Sequence, residues 1–92
     1  MLVYSVYDNM ENQDSPVLVL DALTALEAIS CARNILISRI KDIGIPTPST
    51  EYKYNNLKAD LNYIDMEMFE HLIISFTDTT PNGYVSVVAR EV

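Results

Sequence analysis

His71 is the chain's only histidine, and Glu67 precedes it by four residues, a spacing that puts both side chains on one side of a helix. Imidazole and carboxylate are both zinc ligands, but a metal needs three or four donors. No third donor is placed by spacing, so the pair predicts a satisfied or solvated histidine and no metal site. Glu67 and Glu70 are paired carboxylates of the kind used in acid–base work, yet on so acidic a segment they read as solvated charge. Cys31, the only cysteine, falls inside a helix with no histidine or helix N-terminus beside it to lower its pKa, so it reads as a small hydrophobe.

Other templates fail in the same way. No serine stands in a Gly-x-Ser-x-Gly elbow, and Gly44 and Gly83, the only glycines, cannot form a phosphate-cradling loop. Asp8, Asn12 and Asp14 match positions one, five and seven of a calcium loop. Met10 holds position three, however, the turn glycine is missing, and Val19 stands where a bidentate glutamate belongs. The expectation is a non-enzymatic protein with no catalytic residue, no metal and no cofactor.

Tyr52 and Tyr54, with Lys53 between them and Lys58 beyond, have the composition of a single-strand nucleic-acid platform. Against this stands the total charge of −7. It is segregated: residues 1–32 carry five acids and no base, 33–58 carry five bases against Asp42 and Glu51, and 59–92 carry six acids against Arg90. Such a chain is repelled by nucleic acid and anionic membrane and attracted to basic surfaces. No direct nucleic-acid contact is therefore expected, and the two tyrosines read as one face of a short strand.

These residues must be positioned by elements, and the organising stretch is Pro16 to Gly44. Val17-Leu18-Val19-Leu20 reads as a strand, and Thr24-Ala25-Leu26-Glu27 as a capping box that opens a helix, with Asp21 a rival cap one turn earlier. Ala25, Ala28, Ile29, Ala32, Ile35, Leu36, Ile40 and Ile43 recur at three- and four-residue steps, with Glu27, Ser30, Arg33, Asn34, Lys41 and Asp42 mostly off the stripe. Arg39 and Lys41 suit a helix C-terminus, Gly44 its cap, and Pro46 and Pro48 a stop.

Leu2–Tyr7 reads as a first strand, and residues 8–15 as a polar loop joining it to the second. Ile45–Asn56 reads as the connection back to the sheet. Leu57, Ala59, Leu61 and Tyr63 alternate with polar residues as in a half-buried strand, with a short helix through Leu57, Leu61 and Ile64 as the rival. Asp65–His71 reads as helical turns or an acidic bend. Leu72–Thr77 and Tyr84–Ala89 flank Asn82-Gly83, a hairpin signal because both turn residues tolerate positive φ.

The expected fold is α+β in two layers: an antiparallel sheet of four or five strands covered on one face by one long helix, residues 24–42, in a single domain spanning 1–92. With 92 residues and 49% hydrophobic content the chain can bury a core without a disulfide or metal. It has no apolar run long enough for a membrane and no leader-like N-terminus, so a cytoplasmic protein, in a host cell if viral, is expected.

The expected function is binding. Two acidic segments without lysine or arginine, Asp8–Asp21 and Asp60–Asp78, lie in or beside connections. Asp8, Glu11, Asp14, Asp60, Asp65, Glu67, Glu70 and Asp78 are the expected partner-binding residues. The partner is a protein with a basic, nucleic-acid-binding surface, inhibited for example by a viral or mobile-element anti-defence protein of this type. The alternative is a self-assembling subunit that dimerises through an edge strand such as Tyr84–Ala89.

Overall fold

A computed structural model of the chain describes residues 1–10, 16–64 and 84–92. The elements in chain order are β1 (Leu2–Asp8), β2 (Val17–Ala22), α1 (Ala25–Ile43), α2 (Glu51–Tyr63) and β3 (Val85–Glu91). The strands form one antiparallel sheet in the order β2-β1-β3, so β1 is central. The fold is α+β as expected, but the described residues hold three strands rather than four or five, and two helices rather than one.

α1 forms where its caps are written. Thr24 is extended at φ −131° and ψ 151°, and its hydroxyl accepts the Glu27 backbone N–H at 3.2 Å, satisfying one of the orphan donors of the first turn. At the other end Gly44 adopts φ 67° and donates its N–H to the Ile40 carbonyl at 3.2 Å. A Cβ there would meet no atom, so the glycine is needed for its backbone conformation and not for space. Ala28, Ile29, Ala32 and Leu36 are buried, while Glu27, Ser30, Arg33, Asn34, Lys41 and Asp42 are exposed, as their spacing requires.

The buried stripe meets one face of the sheet. Val6 lies opposite Leu20 on one side and Val87 on the other, and Val6, Ala22, Val85 and Val87 join the four α1 residues in one core. Leu57 of α2 and Ile64, its C-cap residue, complete it, and α2 packs on α1. Fully burying each of these larger aliphatic side chains contributes about 1.5 to 3 kcal/mol.

Two expectations fail at α2. Glu51–Tyr63 is a helix, so residues 45–56 are not simply a return loop, and residues 57–63 take the rival helical reading through Leu57, Leu61 and Ile64 rather than the strand. Burial shows why. A strand through Leu57, Ala59 and Leu61 would bury Ala59 and expose Asp60, whereas Ala59 is exposed and Asp60 fully buried, with Leu57, Asp60 and Ile64 at three- and four-residue steps. Pro48, expected as a stop, sits in the opening turn, where the Thr47 carbonyl accepts the N–H groups of Thr50 at 3.0 Å and Glu51 at 2.8 Å. Pro48 thus lies ahead of the N-cap Thr50, second in a turn that opens at Thr47, a position that its fixed φ suits.

The strand expected at Leu72–Thr77, the turn at Asn82-Gly83 and the bend at Asp65–His71 lie outside the described residues. The last described strand starts at Val85, within the run Tyr84–Ala89 expected from the sequence, and continues to Glu91.

Candidate functional site

β2 ends at Ala22 and α1 begins at Ala25, so the helix runs back along the strand that precedes it. Between them lies an open groove of about 700 Å³. Its helical wall is the stripe Glu27, Cys31, Asn34, Ser38 and Asp42, at three- and four-residue steps, with Ile35 inside it; its other wall includes Val19 and Leu20. The groove exists because Ser30, Cys31, Asn34 and Ser38 are small and cannot fill the space between helix and strand.

The strand wall is irregular. Leu20 pairs with Val6 and Leu18 with Tyr7, which leaves Val19 without a partner on β1, a bulge. The extra residue brings Val19 beside Leu20 in the groove lining. Val17, Leu18 and Val19 are each nearly half exposed, so the edge strand of the described sheet keeps an apolar surface open to solvent.

Asp8 and Arg39 also line the groove. Arg39 Nη2 donates to Asp8 Oδ2 at 2.7 Å, and the Met10 backbone N–H donates to Asp8 Oδ1 at 2.9 Å. Among the described residues Arg39 is the cation of the groove lining and is engaged by Asp8, leaving Glu27 and Asp42 as a surplus of negative charge. The Cys31 thiol is pushed up from its ordinary value, first by burial and then by the nearby Glu27 carboxylate. It therefore stays protonated at neutral pH, which fits the expected small hydrophobe and not a nucleophile.

The opposite face of the sheet carries a second polar group. Ser5 Oγ donates to Asp21 Oδ1 at 2.5 Å, Arg90 Nε donates to Ser5 Oγ at 2.9 Å, and Arg90 Nη2 reaches both Asp21 oxygens at 3.3 and 3.4 Å. The Ser5 hydroxyl holds the Asp21 carboxyl below its ordinary value against the opposing effect of burial, and Arg90 adds to the lowering. Ser5 is fully buried and Asp21 is a weakened base, so the trio ties three strands together and offers no nucleophile.

The expected partner-binding residues separate into two groups. Asp8 is 8% exposed and Asp60 fully buried, which removes both from any solvent-facing acidic patch. Glu11, Asp14, Asp65, Glu67, Glu70 and Asp78 lie outside the described residues, as does His71. Among the described residues no group of three or more histidine, cysteine or carboxylate side chains is placed to hold a metal, and no helix is long and apolar enough to cross a membrane.

Tyr52 and Tyr54 do not share a face for the reason expected, since they are helical and project about 200° apart. Lys58 Nζ sits 5.5 Å from the Tyr54 ring centroid, so that ring is already engaged by its own helix, while Tyr52 is exposed. A two-ring stacking platform is not assembled here.

Their spacing alone reads Glu27 and Asp42 as ordinary solvated helix positions. The available signal was the run of small side chains between them on the same flank. No family model, no curated protein and no solved structure matches this chain.

Proposed function

We propose that the chain is a small acidic, non-enzymatic interaction protein that docks on a basic surface of another protein, with a nucleic-acid-binding groove as the natural target. The observation that carries this reading is the open helix–strand groove, in which Glu27 and Asp42 stand free of the Asp8–Arg39 pair. Val19, Leu20 and Ile35 beside the carboxylates Glu27 and Asp42 set an apolar patch next to negative charge, and the total of −7 steers it toward cations. The acids Glu11, Asp14, Asp65, Glu67, Glu70 and Asp78 belong to the same proposal as further contributors to that field, whereas Asp8 and Asp60 do not.

The test is affinity capture from the source cell, its phages and mobile elements included, with the native chain and with a variant carrying Glu27→Lys and Asp42→Lys. A basic or nucleic-acid-binding protein retained by the native chain, and lost by the variant or on raising salt, supports the proposal. A neutral or acidic partner retained equally by both chains and at all salt concentrations contradicts it.

A further inference from the structure

The groove is directional, and its dimensions restrict what fits. Glu27 and Asp42 stand fifteen residues apart on α1, about 22 Å at 1.5 Å per residue, and β2 alongside is six residues long, about 20 Å. A segment lying between them must be extended, because at about 3.3 Å per residue six or seven residues cover that distance. Carboxylates at the ends and Val19, Leu20 and Ile35 between them set a complementary order: cation, apolar residues, cation. With a period of two, residues one, three, five and seven of such a segment share one face.

We infer that the groove between α1 and β2 seats an extended segment of a partner protein, six or seven residues long, with a lysine or arginine at each end and aliphatic side chains at alternate positions between. This rests on the proposed function and adds the site, the conformation and the order of side chains. The cations meet Glu27 and Asp42, and the aliphatic residues cover Val19, Leu20 and Ile35. The backbone lies along the outer edge of β2, where strand addition supplies hydrogen bonds on either side of the bulge.

Charge favours a partner over a second copy of this chain, because a second copy brings a further −7 against a groove with a carboxylate surplus. The chain's own Leu72–Thr77 is expected on sequence grounds beside β3, at the opposite edge, and is flanked by acids of the same sign as the groove.

Cys31 supplies the readout, since it is the chain's only thiol and lines this groove. The probe is a blocked peptide, Arg-Thr-Val-Thr-Val-Thr-Arg, with a control in which both arginines are glutamates. Binding is measured on the full-length protein, and the rate of maleimide labelling of Cys31 is followed with and without saturating peptide. The expected result is binding of the cationic peptide only, labelling slowed about tenfold, and affinity lowered about tenfold by Glu27→Gln with Asp42→Asn, a pair of changes that conserve shape.

Binding without protection of Cys31, equal binding of the acidic peptide, or no binding at about 1 mM overturns the inference. So does concentration-dependent protection of Cys31 in the free protein, which would assign the groove to a second copy. The proposed function fails separately, when capture retains no basic protein; a captured basic partner that leaves Cys31 labelling unchanged sinks only the groove as its seat.

Discussion

Arg39, near the end of α1, donates to Asp8, the last residue of β1, at 2.7 Å and so fastens the far end of the helix to the central strand. The Asp8 side chain is 11% exposed and the Arg39 side chain 30%. An acid that looks in sequence like the first residue of an exposed loop is thus a structural ligand of the helix.

Removing either partner takes a charge-assisted hydrogen bond from a pair that is largely shielded from water. Arg39→Ala and Asp8→Asn should each cost roughly 1 to 3 kcal/mol, below the value for a fully buried pair because water reaches the guanidinium. Urea unfolding of the two single variants and the double variant measures it. Losses that simply add would show that the pair is not coupled.

Leu36 is fully buried and Ile40 only partly. Leu36→Ala should therefore cost about 2 to 5 kcal/mol and Ile40→Ala clearly less, although the helical stripe alone ranks them equally. Denaturation midpoints in the reverse order would mean that α1 is rotated from the position described.

The Thr24 cap should be worth about 1 kcal/mol. Thr24→Ala is expected to lose that amount and Thr24→Ser to recover most of it, because only the hydroxyl oxygen facing the Glu27 N–H matters. Equal loss in both variants would assign the effect to the threonine methyl group.

Asp21 carries a pH signature. Its pKa is lowered in the folded chain by the Ser5 hydroxyl and by Arg90, so its contribution to stability is present above the ordinary value of 3.8 and disappears as pH falls through the lower folded value. The stability difference between the native chain and Asp21→Asn should shrink below about pH 4. In an NMR titration Ser5→Ala should move Asp21 back toward its ordinary value. An Asp21 titration unaffected by loss of the Ser5 hydroxyl would contradict the hydrogen bond as the leading cause.

The sequence was most readable where local and long-range signals agree. Thr24, the aliphatic stripe and Gly44 each specify α1 independently, and β1, β2 and β3 emerge from β-branched runs near their observed bounds. The strand and helix readings of α2 compete in the sequence because Leu57, Ala59, Leu61 and Tyr63 fit a period of two about as well as Leu57, Leu61 and Ile64 fit 3.6. The decisive residue, Asp60, is a buried acid that no pattern of apolar positions reveals. The groove was invisible for a different reason. It depends on the bulge that puts Val19 beside Leu20 and on the distance between α1 and β2, neither of which is written in the alternation of side chains.

The central claim is that charge directs this protein to a basic partner, and the association rate with the captured partner tests it most directly. Between about 0.01 and 1 M salt the screening length falls from roughly 30 to 3 Å. The expected result is a rate that drops by about two to three orders of magnitude over that range, with Glu27→Lys and Asp42→Lys slowing association at low salt and having little effect at high salt. A rate independent of ionic strength, and equal in the native and charge-reversed chains, would leave the negative charge without a role in recognition.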